Sequence, residues 1–271
     1  MKNHKIAGGG GAQLHVVEAG NPTGRPILFI HGYAQCWRCW NRQLDSDLAN
    51  DHRLVAMDMR GHGLSDKPQE AYADSRLWAD DIHAVIQVLK LDRPVLSGWS
   101  YGPLLALDYI RHYGEDAIGG INIIGGVSKL GGEDALAVLT PEFLSLIPGF
   151  FSAEAEESKR SLESLTRLCF VQELSTEEVR RILDDSLLVP THVRKGLFHR
   201  VVDNDDVLQR IGKPVLITHG AKDAVVKLSA LDHHKARLPH AQTHIMNTGH
   251  AAFLEDVPGY NRRLREFCAS L

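Results

Sequence analysis

The sequence predicts an α/β fold: a mostly parallel central sheet, flanked by helices on both faces, with a helical cap inserted late in the chain. Three observations carry this. Short runs rich in Val, Ile and Leu, without strict alternation, recur along the chain, as strands buried on both faces require. Stretches of helical periodicity fall between them, and such alternation argues for a parallel sheet covered on both sides. The alternation then breaks between about residues 128 and 205, where no strand-like run appears and helix formers dominate.

Taken in order, the chain opens with an antiparallel pair, "HKIA" and "AQLHVVEAG", joined by a turn at the four glycines 8–11. Strand-like runs follow at "PILFI" (26–30), "RLVAMD" (53–58), "PVLSG" (94–98), "GINII" (120–124), "PVLITH" (214–219) and "AQTHIM" (241–246). Trp78, Ile82, Val85, Ile86 and Leu89 repeat at helical spacing, as do Tyr260, Leu264, Phe267 and Leu271. Within the interruption, Thr140-Pro141 sets an N-cap before a proline at the first helical position. Ser175-Thr-Glu-Glu178 is a capping-box pattern, continued by Val179, Ile182, Leu183 and Leu187. The expected division is a core of 1–127 and 206–271 with a helical cap of 128–205. In doubly wound sheets ligands sit outside the carboxyl ends of the strands, so a cap there would roof the site.

Composition excludes several function classes. Of 271 residues, 44% are hydrophobic and 24% charged, the balance of a folded enzyme and not of a disordered chain. A net charge of −4 without single-sign blocks leaves no footprint for nucleic acid or a membrane surface. The start, "MKNHKIAGGGGAQ", lacks the apolar stretch of a signal peptide, and no run is long enough to span a bilayer. Four scattered cysteines (Cys36, Cys39, Cys169, Cys268) make no disulfide framework, so a reducing cytoplasm is expected. The expected partner is a small-molecule substrate; oligomeric state is not readable.

Gly98-Trp99-Ser100-Tyr101-Gly102 lies where a buried strand gives way to a helix. A serine on such a sharp turn presents its Oγ to substrate, and the two glycines let the chain pass closely. The N–H of Tyr101 opens the next helix, where unpaired donors and the positive dipole end favour developing negative charge. Pro103 replaces the small residue expected next, but in a first helical turn its missing N–H costs little.

Several motifs in order now carry a resemblance. They are "FIHGYAQCW" after the third strand, "MDMRGHGLSDKP" after the fourth, "GWSYG" at the elbow, then "THGAKDAVV" and "NTGHAAFLED". Together they resemble the α/β-hydrolase fold family from about Gln13 to Leu271, most weakly in the cap. Within that family they are most similar to the cofactor-free haloperoxidase and arylesterase-like subset. The resemblance implies a structural role for His31.

Asp223 follows a strand directly, where a carboxylate can hold a histidine in the right tautomer; the plainer alternative is a loop or N-cap aspartate before a helix beginning near Val226. Asp205 and Asp206 precede that strand and are rivals only in principle. His250 follows the last strand, beside Gly249, and completes the order Ser…Asp…His as general base. Of fifteen histidines, His244 falls in a strand and His233-His234 in a helix. Tyr33, after His31-Gly32, would give the second oxyanion donor through its backbone N–H. Trp37 and Trp99 are candidates for lining an apolar acyl pocket. Cys36-Trp-Arg-Cys39 lacks the further ligands of a zinc site and the surroundings of a redox centre, and is expected to pack. "RGHGLSD" lacks the pattern of a phosphate loop, leaving Asp58 and Arg60 structural.

The chemistry so implied is a Ser100–Asp223–His250 triad cleaving a carboxylic ester or lactone through an acyl-enzyme, with no metal or organic cofactor. Ser100 argues against the epoxide hydrolases and haloalkane dehalogenases of this fold, which carry aspartate at the elbow. Carbon–carbon hydrolysis of diketone-type compounds, a perhydrolase side activity, and a catalytically weak receptor on the same fold stay open.

Overall fold

A computed structural model describes residues 1–271. Its strands are β1 (Lys2–Ala7), β2 (Gln13–Gly20), β3 (Arg25–Ile30), β4 (His52–Met57), β5 (Val95–Trp99), β6 (Gly120–Ile124), β7 (Lys129–Leu130), β8 (Val202–Asp203), β9 (Val215–Gly220) and β10 (Gln242–Met246). The helices begin with two single turns, α1 (Asn41–Leu44) and α2 (Leu48–Asp51), then α3 (Ser75–Val88) and α4 (Gly102–Tyr113). The interruption holds α5 (Glu133–Ala137), α6 (Pro141–Phe150), α7 (Ala155–Leu168), α8 (Thr176–Leu187) and α9 (Thr191–Phe198). After it come α10 (Asp205–Leu208), α11 (Ser229–Arg237), α12 (Ala252–Glu255) and α13 (Val257–Ala269).

Eight strands form one sheet in the order β1-β2-β4-β3-β5-β6-β9-β10. The first two pairings are antiparallel and the rest parallel, so the expected mostly parallel sheet is the one found. Strands β3, β5 and β6 are buried along nearly their whole length, which is why their sequences run apolar without alternating. The chain leaves β3 to build β4 on one side and returns to add β5 on the other. That reversal opens a crevice at the carboxyl ends of β3 and β5, where doubly wound sheets hold ligands. Ile30 pairs with Gly98, so the loop after β3 emerges beside the turn after β5.

Two local expectations need correction. The stretch 128–205 is not free of strands: β7 and β8 pair antiparallel as a two-residue ladder at its two ends. Runs that short carry no periodicity to read. The helix after Asp223 begins at Ser229 and not near Val226, because 225–227 is drawn into bonds with the 128–205 segment: Thr140 N–H donates to Val225 O, and Lys227 N–H to Val138 O. The caps at Thr140 and Ser175 form as the sequence suggests, the second as a reciprocal capping box. No helix is long and apolar enough to cross a membrane.

Candidate active site

Ser100 sits between β5 and α4 with φ +58°, a left-handed conformation that a non-glycine residue holds only under constraint. The constraint is visible in the surrounding bonds. Ser100 N–H donates to Ile124 O at 2.9 Å, and Ser100 O accepts from Val127 N–H at 3.2 Å. The end of β6 thus clamps both sides of the serine. The flanking glycines are there for contact, not freedom: a Cβ on Gly98 would lie 2.6 Å from Pro103 N, and one on Gly102 2.5 Å from Ile30 O. Pro103 occupies the first turn of α4, where its missing N–H breaks no bond.

His250 lies in the turn between β10 and α12 and is 2% exposed. Its Nδ1–H donates to Asp223 Oδ2 at 2.8 Å. The carboxylate fixes the tautomer, since it can only accept, and Nε2 is left without a protein partner. Asp223 is itself anchored, its Oδ1 accepting the N–H groups of Val225 and Val226 at 2.8 and 2.9 Å. The loop aspartate and the histidine's partner are one residue, with one oxygen for each task. Trp99, the neighbour of Ser100, brings the ring next to the elbow: its indole lies 5.4 Å from the imidazole, and its Nε1–H donates to His250 O at 3.0 Å. Gly125 (φ +48°) admits the pair from below, because a Cβ there would meet His250 Nδ1 at 3.1 Å and Asp223 Oδ2 at 3.2 Å.

The loop after β3 is held open by buried polar groups. His31 Nε2 accepts from Met59 N–H at 3.0 Å, so its Nδ1 carries the proton and donates to Gly32 O at 2.8 Å. Burial pushes this imidazole down, away from the charged form. Asp58 accepts from Trp37 N–H at 2.7 Å, Leu64 N–H at 2.9 Å and His15 Nδ1–H at 2.8 Å, and these bonds hold its carboxyl low despite burial. Arg60 pairs with buried Asp81 through two bonds of 2.7 Å. Neither the N–H of Tyr33 nor that of Tyr101 donates to another backbone group. Both remain available beside Ser100.

Above the serine, Tyr33, Ser100 and Tyr101 line a cavity of about 120 Å³ closed by Leu139, Phe143 and Phe198 from the 128–205 segment. Its wall is overwhelmingly apolar. Neither Trp37 nor Trp99 lines it; Trp99 faces a second cavity of about 70 Å³ with Cys169, Phe170 and Leu254. Side chains alternate across a strand, so Trp99 points from Ser100 toward His250 and Phe253, the latter ring at 5.1 Å. Trp37 lies on a single 3-10 turn next to the His15 ring, at 6.2 Å. Asp205 and Asp206 lie on α10 and pair with Lys129 and Arg111 respectively. The four thiols are unpaired, and burial raises those of Cys36 and Cys39.

Sequence reasoning missed His219, the penultimate residue of β9. Its Nε2–H donates to Val226 O at 3.0 Å and lies 3.5 Å from Asp223 Oδ2. Burial pushes its pKa down, and through these contacts the ring braces the Asp223 loop. The "THG" at the strand end is the only trace it leaves in the sequence.

Comparison with known proteins agrees with this layout. A model of the alpha/beta hydrolase fold family matches residues 25–257, and the chain belongs to that family and is a hydrolase. An esterase from Rhodococcus sp. ECU1013 is 33% identical over the whole of both chains, with a TM-score of 0.94. A provisionally named aryl esterase from Burkholderia cenocepacia is 29% identical, again over both whole chains, at a TM-score of 0.90. Among sequence relatives, the AB hydrolase superfamily protein YisY from Bacillus subtilis (strain 168) is 28% identical across 91% of this chain and 92% of its own. The arylesterase-like resemblance of the motifs is therefore matched by structural neighbours of that kind.

Proposed function

We propose that the protein hydrolyses carboxylic esters of small molecules, lactones included, through an acyl-enzyme on Ser100. In this reading Ser100 Oγ attacks the carbonyl carbon while His250 Nε2 takes its proton, and Asp223 stabilises the imidazolium. The N–H groups of Tyr33 and Tyr101 hold the oxyanion, a contribution of about 3 kcal/mol per donor in comparable sites. His250 returns its proton to the departing alkoxide. Water, deprotonated by the same nitrogen, then releases the acid and restores the serine. Peroxide in place of water would leave as a peracid, which is the perhydrolase branch of the same route. Residues 128–205 act as the cap whose side chains choose the acyl group.

The observation that carries the reading is the His250–Asp223 bond of 2.8 Å beside a serine held at φ +58°. Two unpartnered N–H groups and an apolar cavity at the same edge support it. The esterases among its structural neighbours favour ester over carbon–carbon cleavage. A panel of 4-nitrophenyl esters at two acyl lengths, with and without peroxide, tests it. Turnover of both esters, and peracid formation only when peroxide is present, is the expected result. No turnover of any ester by the folded protein contradicts it.

A further inference from the structure

Cap helix α9 carries a cation that nothing in the protein neutralises. Arg194 is 5% exposed, and its one hydrogen bond runs from Nη2 to Thr191 Oγ1 at 2.9 Å. Its Nε and Nη1 have no acceptor, although both are buried, and no carboxylate forms an ion pair with it. Burial without a partner disfavours the charged guanidinium by desolvation. The other buried arginines differ: Arg60 has Asp81 and Arg200 has Asp108, each at 2.7 Å.

The surroundings say where its missing partner would come from. Leu197 and Phe198 lie three and four residues on, the spacing that puts side chains on one helix face, and both line the cavity over Ser100. The Tyr33 ring packs edge-on against Phe198 at 4.8 Å, and its phenol oxygen is also buried with no partner. The charge of Arg194 reaches that phenol, which burial otherwise pushes strongly up. The cavity, lined by apolar side chains except at Ser100 and Lys129, therefore has an unpartnered phenol at its Tyr33 end, and an unpartnered guanidinium stands on the helix face that supplies Leu197 and Phe198 to its wall.

We infer that Arg194 and Tyr33 Oη form a subsite for a carboxylate carried by the substrate, so that the preferred esters are half-esters of dicarboxylic acids. The inference rests on the ester-hydrolase reading above. Tyr33 would serve twice: its N–H on the oxyanion, and its phenol on the far carboxylate, a side chain's length away. A guanidinium and a hydroxyl on one carboxylate satisfy all the donors now left open. Arg194 acts here as a binding residue, remote from the reacting atoms.

The test compares 4-nitrophenyl hydrogen glutarate with neutral 4-nitrophenyl pentanoate, on the wild type and on Arg194→Met, Arg194→Lys and Tyr33→Phe. The wild type should favour the glutarate ester in kcat/KM. Arg194→Met should lower the glutarate-to-pentanoate ratio by roughly 10- to 100-fold, mostly through KM, the size of a charge-assisted bond. Arg194→Lys should keep part of the preference, and Tyr33→Phe should reduce it several-fold. Removing an unpaired buried charge should also raise the Tm of Arg194→Met, which loss of a purely structural arginine would lower. Should that variant fail to fold, free glutarate raising the wild-type Tm where glutaramide does not supports the subsite. An unchanged ratio in folded Arg194→Met, or no difference between glutarate and glutaramide, overturns it. Loss of turnover on both esters by the wild type would instead count against the hydrolase reading, and glutarate binding would still report on the subsite.

Discussion

Asp223 divides its two oxygens between the backbone of its own loop and the ring of His250. Asp223→Asn keeps the shape and most of the loop bonds, but its amide nitrogen can face Nδ1 only as a donor, which selects the wrong tautomer. The expected loss in kcat is on the order of a thousand- to ten-thousand-fold with little change in Tm, read by steady-state kinetics and thermal melting. Residues of this kind were legible because chain order and strand-end position identify them: Ser100, Asp223 and His250 each follow a strand. That Trp37 and Trp99 lie outside the cavity over Ser100 was not readable, because proximity in sequence says nothing about which side of the turn a side chain takes. His219 was silent because its bond to Val226 O forms only once the Asp223 loop folds back over the strand end. Gly125 was silent because it makes room for His250 and Asp223, about 100 positions or more further along the chain, and no local pattern encodes that.

At the scale of elements, the join between α6 and the Asp223 loop matters most. Thr140 accepts Phe143 N–H at 3.2 Å as the N-cap of α6 and donates its own hydroxyl to Ala224 O at 2.5 Å. Its backbone N–H donates to Val225 O, and Leu139 bridges Val226. One threonine thus starts a cap helix and ties it to the loop that orients His250. Ser175, by contrast, caps α8 on the surface, and its side chain bonds only Glu178. Thr140→Ala and Ser175→Ala should each cost about 1 kcal/mol in denaturant unfolding, the usual worth of a cap. Only Thr140→Ala should also lower kcat, because only it loosens the acid's loop. Equal kinetic effects from the two would argue that the cap and the loop are independent. The caps themselves were readable from Thr140-Pro141 and Ser175…Glu178, whereas the β7–β8 ladder was not, since two-residue strands are defined by their partner alone.

Across the whole molecule, the ends of the 128–205 segment are fastened to the core through Asp205. Its carboxylate meets Lys129 at 2.8 Å, His233 at 2.8 Å and Arg237 at 2.6 Å, joining β7, α10 and α11. Burial raises its pKa, but these three hydrogen-bond partners outweigh that and hold it at about 2, against an ordinary value of 3.8. A depressed carboxylate stabilises the fold above its unfolded value and loses that stabilisation as pH falls through its folded one. Asp205 therefore contributes about 2 kcal/mol above pH 3.8, shrinking between pH 3.8 and about 2. Unfolding midpoints across that window should converge for wild type and Asp205→Asn, with the variant less stable at neutral pH. Parallel curves would assign the acid sensitivity elsewhere. The parallel sheet on which this rests was the most legible part of the chain, because strands buried on both faces must be apolar throughout. The Arg194–Tyr33 cluster was the least legible, since what marks it is the absence of a partner, and a sequence cannot display that.

The central claim is that the fold converts the hydroxyl of Ser100 into an activated nucleophile through His250. Treating the folded protein with a fluorophosphonate and mapping the adduct by mass spectrometry tests it most directly. A single adduct on Ser100 is expected, absent from Ser100→Ala and nearly absent from His250→Ala. Labelling that is equally fast in folded His250→Ala, or that settles on another residue, would contradict it.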